Sequence, residues 1–179
     1  MLMNTCNGYG LVARLLHWLV FGLVIAMLLG GMALPNLPSG GFKAFAVGVH
    51  KSIGAVILMV MILRLIWRCC NPRPRDLAND PAMRYVAHVL HICLYTLLFL
   101  QPLSGIFMSQ AFGYPVSVFG WFELPRFIWQ STSLGQFFRE VHVAAAAILA
   151  SAIVIHVAAA LKHHYIDRDR TLLRMVKGK

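Results

Sequence analysis

The feature that most constrains this chain is the absence of charge over three long stretches. No Asp, Glu, Lys or Arg occurs between Arg14 and Lys43, between Arg84 and Glu123, or between Glu140 and Lys162. Each window holds the roughly 20 apolar residues that a helix needs to cross a hydrocarbon core. A water-soluble globule does not fit, because 59% of the 179 residues are apolar and only 12% charged, against about 25% charged in ordinary soluble domains. A fourth apolar stretch carries Lys51 and Arg64 near its two ends, where long side chains snorkel to the interface. The expectation is an all-α fold: an integral membrane four-helix bundle forming one domain over residues 1–179, with spans at about 12–34, 44–67, 85–109 and 139–162. Turn-forming residues at 35–41 and 71–75, and Pro115 and Pro125 within 111–136, mark the connections. The run from Leu15 to Leu34 is too long for the apolar region of a signal peptide and lacks a small-residue cleavage site, so it reads as a mature span.

An even number of spans puts both termini on one side with the loop between the second and third helices. That side collects twelve basic residues, Arg14, Arg64, Arg68, Arg73, Arg75, Arg84, Lys162, Arg168, Arg170, Arg174, Lys177 and Lys179, and leaves Lys43, Lys51, Arg126 and Arg139 for the other. The positive-inside rule then makes both termini of this multi-pass protein cytoplasmic. The net charge of +10 does not point to nucleic acid, since the basic residues sit beside apolar runs and form no continuous stripe; their expected partners are membrane lipids. Cys6, Cys69, Cys70 and Cys93 form no C-x-x-C pair and no C-x-x-C-H site for covalent haem attachment.

Eight histidines in so apolar a chain need a reason, because ionisable groups inside a membrane are costly and mark functional sites. His142 and His156 are 14 residues apart, a rise of about 21 Å and a rotation about 40° short of four turns, so both project from one face of the fourth helix at opposite depths. His17 lies near the cytoplasmic end of the first helix, level with His156. His50 lies near the external end of the second, level with His142. Two histidine pairs on facing helices at two depths are what two stacked b-type haems require. Gly48, Gly54, Ala144 to Ala147 and Ala158 to Ala160 lower the bulk beside them, although small residues also simply let membrane helices pack closely. The external pair has no competitor. At the cytoplasmic end, His88 and His91 compete with His17 as the partner of His156; their plainer role is a bond to a haem propionate or a backbone carbonyl. His163 and His164 follow the fourth span, as headgroup-facing residues or as a site that handles protons or contacts quinone.

Several segments together resemble the bacterial cytochrome b561 family of inner-membrane dihaem proteins. They are R-L-L-H-W at 14–18, H-K-S-I-G at 50–54, L-R-L-I-W-R at 63–68, H-V-L-H-I-C-L-Y at 88–95, P-L-S-G at 102–105, H-V-A-A-A-L-K-H-H-Y at 156–165 and D-R-T-L-L-R-M at 169–175. The resemblance covers almost the whole chain. It implies that His17 and His156 ligate the iron of a cytoplasmic-side haem b, and His50 and His142 that of a periplasmic-side haem b. It also implies electron exchange with ubiquinone as acceptor and, in at least one family member, oxidation of superoxide. The implied enzyme is a superoxide:ubiquinone oxidoreductase. Two readings compete with it: an electron-transfer subunit docked to a dehydrogenase partner, and a haem-free proton or metal transporter. If superoxide is the donor, the candidate catalytic residues are Lys51 and Arg126, which would draw an anion to the external haem edge, and His163 or His164, which would deliver protons to the quinone. Lys51 could instead snorkel or neutralise a haem propionate.

Overall fold

A computed structural model describes residues 1–75, 77 and 80–178. Its architecture follows from the four apolar stretches, each of which forms one long helix: α1 (Leu11–Ala33), α2 (Gly41–Cys70), α3 (Pro81–Ala111) and α4 (Thr132–Tyr165). All four are long and apolar enough to span a membrane. They overrun the expected spans, most visibly where α4 begins at Thr132. There Ser131 adopts an extended conformation and its hydroxyl accepts from the Leu134 amide, which lets the helix start in the interface ahead of the hydrocarbon region. Asp80 does the same for α3, accepting from the Ala82 amide at 2.9 Å with Pro81 in the first turn. Gly40, at φ 142°, supplies a backbone conformation closed to other residues and turns the chain into α2.

The core occupies the middle of the bundle and is made of one stripe from each helix. Val20 and Val24 come from α1, Ile57 and Met61 from α2, Leu94 and Leu97 from α3, and Ala145, Leu149 and Ala152 from α4. On α4 the stripe continues as His142, Ala145, Leu149, Ala152 and His156, spaced alternately by three and four residues, so both histidines flank the apolar core on one face. The remaining helix surface is largely open, as suits a bundle whose outer solvent is lipid. The close helix pairs are α3 with α4, α1 with α2 and α2 with α3. Neither α1 nor α2 is among the close partners of α4, so they meet it chiefly through side chains.

The connection from α3 to α4, which the sequence presents only as a proline-bearing stretch, contains a small antiparallel hairpin, β1 (Ser117–Val118) with β2 (Phe122–Glu123). Its turn uses Phe119 and Gly120 at φ 52° and 77°. A left-handed phenylalanine is strained, and α2 holds it: the Phe119 amide donates to the Ser52 hydroxyl at 3.0 Å, and that hydroxyl donates to the Ser117 carbonyl at 3.1 Å. At the opposite end a short α5 (Thr171–Val176) folds back under α1. Arg14 donates to the Val176 carbonyl and the Trp18 indole to that of Met175.

Candidate functional site

A histidine pair lies toward each end of the apolar core. His50 of α2 faces His142 of α4 with ring centroids 6.3 Å apart, and His17 of α1 faces His156 of α4 at the same 6.3 Å. The spacing is compatible with two imidazoles sharing one metal. With metal–imidazole bonds of about 2.0 to 2.1 Å and a ring nitrogen about 1.1 Å from its centroid, two imidazoles on opposite sides of one metal have centroids roughly 6.2 to 6.4 Å apart. No group of three or more His, Cys, Asp or Glu suited to a metal ion occurs among the described residues. The arrangement therefore offers two two-ligand sites, as a metal already held in a macrocycle needs.

Around His142 the surroundings prepare a ligand. Its Nδ1–H donates to the Gln101 carbonyl at 3.0 Å, with the Ser104 hydroxyl 3.2 Å away. A histidine fixed in that tautomer keeps the Nε2 lone pair for a metal. The Gln101 amide nitrogen meets that lone pair at 3.3 Å, while the other amide atom, Oε1, is buried without a partner. The space beside both rings depends on missing side chains. A Cβ on Gly105 would stand 3.0 Å from His142 Cε1, and one on Gly31 would stand 3.3 Å from His50 Cε1. These features fit a bound haem: opposed imidazoles, a prepared tautomer, an unsatisfied amide and glycines against the rings.

At the other end Arg64 donates to His17 Nδ1 at 2.9 Å. Neutral His17 then carries its proton on Nε2, so ligation through Nε2 requires the ring to turn over or Arg64 to withdraw. His91 also approaches His156, at a centroid distance of 5.5 Å, and its Nδ1–H donates to the Ala87 carbonyl at 2.6 Å. That separation is too short for two imidazoles across one metal. His88 lies on the rim of a groove between α2 and α3, away from the pair.

The remaining sequence candidates divide between the two ends. Lys51 follows His50, and its ammonium donates to the Ser109 hydroxyl at 3.3 Å and the Pro115 carbonyl at 2.8 Å; it secures the α3–α4 connection as well as placing a charge there. Arg126 is exposed on that same connection, beyond β2. Past the end of the core, His163 Nδ1 lies 2.7 Å from Asp169 and 3.2 Å from Asp167, with Lys162 on Asp167 at 2.7 Å. Burial alone would raise the Asp169 carboxyl, but the amide and hydroxyl of Thr171 and the His163 ring together hold it below the usual carboxylate range. His164 points elsewhere, edge-on to Tyr165 with Nδ1 buried and unpartnered, as consecutive helical residues must. Arg64, Gln101, Ser104, Gly105, Gly31 and Asp169 were given no site role from sequence, although Arg64, Ser104, Gly105 and Asp169 lie within the segments that carry the resemblance. A glutamine and a serine inside an uncharged apolar window were the available signal for two of them.

The sequence pattern of the family described as prokaryotic cytochrome b561 matches residues 8–178. Cytochrome b561 homolog 2 of Escherichia coli (strain K12) is 37% identical over 175 residues, covering 97% of this chain and 93% of its own length. The probable superoxide oxidase CybB of Yersinia pestis is 30% identical over 165 residues, covering 92% and 93%. Cytochrome b561 homolog 1 of E. coli (strain K12) is 30% identical over 173 residues, covering 95% and 97%.

Proposed function

Since the chain belongs to the prokaryotic cytochrome b561 family, a family of b-type haem membrane proteins for electron transfer, we propose that it is a two-haem superoxide:ubiquinone oxidoreductase of the bacterial inner membrane. The observation that carries the reading is one 6.3 Å histidine spacing repeated at both ends of the bundle. In this reading His50 and His142 hold one haem iron near the outer face, and His17 and His156 hold the other near the cytoplasmic face. Haem b, when bound, supplies a one-electron couple at each site.

The chain's own residues do the rest. The Gln101 carbonyl orients His142, and Gly31 and Gly105 keep the space beside His50 and His142. Lys51 and Arg126 give the outer face a positive field that draws in a small anion. Two superoxide anions each give up one electron and leave as dioxygen, and the quinone gains two electrons and two protons. His163, held by carboxylates through Nδ1, leaves Nε2 for proton delivery, with His164 as the neighbouring candidate. A relative bearing the name probable superoxide oxidase supports this choice of donor.

Stopped-flow mixing of the haem-loaded protein with superoxide tests the reading. The expected result is fast haem reduction that slows as salt rises, slows again in Lys51→Gln and Arg126→Gln, and is followed by quinone reduction. Slow, salt-independent reduction unchanged in both variants would remove superoxide as the donor. The second reading, a subunit that passes electrons between a docked dehydrogenase and the quinone pool, is favoured by the exposed aromatics of the α3–α4 connection, where Trp121 is 85% and Trp129 73% exposed. Co-purification of a dehydrogenase would decide for it.

A further inference from the structure

Between α2 and α3, on the outside of the bundle at the end that carries the termini, lies a groove of about 330 Å³ that the proposed reaction does not use. Its chemistry is graded along the membrane normal. Arg68, Arg73 and His88 lie toward the end that carries the termini; Leu65, Ile92 and Phe99, with the polar groups of His91, Tyr95 and Thr96 among them, line the rest. From His88 to Phe99 the wall contributed by α3 descends about 16 Å, from headgroup depth into the hydrocarbon. Leu65 and Ile92 are exposed, so the groove opens to the surrounding lipid.

Among the described residues, the arginines of the rim have no carboxylate partner. Arg68 lies over the Tyr95 ring at 5.2 Å, and Arg64 lies over the same ring at 5.5 Å. Two guanidinium groups on one phenol repel each other unless an anion lies near. Among the described residues the ion pairs are those of Lys162 and His163 with Asp167 and Asp169, so no carboxylate there serves Arg64, Arg68 or Arg73, and no acidic residue lines the groove. Guanidinium groups suit phosphate oxygens by their forked geometry, and basic pockets between membrane helices are sites for anionic headgroups.

We propose that this groove is a binding site for one anionic phospholipid, its phosphate on Arg68 and Arg73 and an acyl chain laid along Leu65, Ile92 and Phe99. A quinone ring, being neutral, gives the two arginines of the groove no counter-charge. A free phosphate leaves the apolar floor uncovered. The proposal does not depend on the identity of the electron donor; the groove adjoins the His17–His156 pair through His91, which lines it and approaches His156.

The test is native mass spectrometry of the haem-loaded, full-length protein in detergent, titrated with phosphatidylglycerol or with phosphatidylcholine of the same acyl chains. Wild type is expected to hold one phosphatidylglycerol with a preference of roughly tenfold or more over phosphatidylcholine. Arg68→Gln/Arg73→Gln should abolish that preference, Arg68→Lys/Arg73→Lys should keep most of it, and Ile92→Trp, which fills the floor and leaves the charges, should weaken binding of both lipids. Inorganic phosphate should not displace the lipid. Equal retention of the two lipids by wild type, an unchanged preference in the glutamine variant, displacement by inorganic phosphate, or displacement by a quinone analogue would each overturn the proposal. Loss of a haem in the glutamine variant, read from the absorption spectrum, would overturn it by assigning the arginines to a haem propionate.

Discussion

The ring of His142 is fixed by the backbone of α3: its Nδ1–H donates to the carbonyl of Gln101 at 3.0 Å. One main-chain contact decides which nitrogen carries the proton and leaves the lone pair on Nε2, where the Gln101 side-chain amide meets it at 3.3 Å. Gly105, one turn further along α3, touches the same ring and completes the seat.

A methyl group in that seat would press on the ring and require it to give by a few tenths of an ångström. Gly105→Ala would place Cβ 3.0 Å from His142 Cε1, and overpacking of this kind typically costs about 1 to 3 kcal/mol. The expected outcome is reduced haem occupancy at the His50–His142 site, with the other site unaffected. Gly31→Ala, at 3.3 Å from His50, should have a smaller effect in the same direction. Quantitative spectra of the purified variants, with the two haems resolved by potentiometric titration, check the order; equal and full occupancy in both variants would contradict it.

The partner of His156 is testable by exchange. His17 has the spacing of an opposed ligand and His91 has the prepared tautomer; the account takes spacing as decisive, because a ring can turn over more readily than a helix can move. His17→Ala should therefore empty the site at the termini end, while His91→Ala should leave it filled. The reverse outcome would assign the ligand to α3.

Much of this was legible in the sequence, for identifiable reasons. A span is announced by twenty uncharged residues, and the stripe from His142 to His156 is announced by helical period alone. The supports of those histidines were not legible, because they come from residues remote in the chain. Nothing local to Gln101 or Gly105 says that α4 packs against α3 with His142 at that height. Arg64 reads as a snorkelling end residue, whereas its guanidinium turns onto His17. The hairpin was hidden because each of its strands has only two residues and the turn places a phenylalanine where glycine is usual. The division of His163 from His164 needed the position of Asp169.

The Asp169 carboxylate has a pH signature. Its value in the folded protein is held below the ordinary 3.8 by the Thr171 amide, the Thr171 hydroxyl and His163. A depressed carboxyl stabilises fully above the unfolded value and loses that contribution as pH falls through the folded one. The start of α5 should therefore stay protected at neutral pH and loosen only in acid, below about pH 4. In Asp169→Asn the Thr171 amide should exchange faster already at pH 7. Because Asp169 is close to the surface, the effect should be local; hydrogen exchange that is identical in wild type and variant would contradict it.

Orientation rests on twelve basic residues against four. A reporter active only outside the cytoplasm should remain silent when fused after Lys179 and work when inserted near Ser39. The opposite pattern would exchange the sides of the two histidine pairs and reverse the proposed electron path.

The central claim is that each opposed histidine pair holds one haem, and counting haem per chain tests it most directly. Pyridine haemochrome analysis against protein concentration should give two haems b for wild type, one for His142→Ala and one for His17→Ala, with none left in the double variant. A single haem in wild type, or two in His142→Ala, would contradict the account.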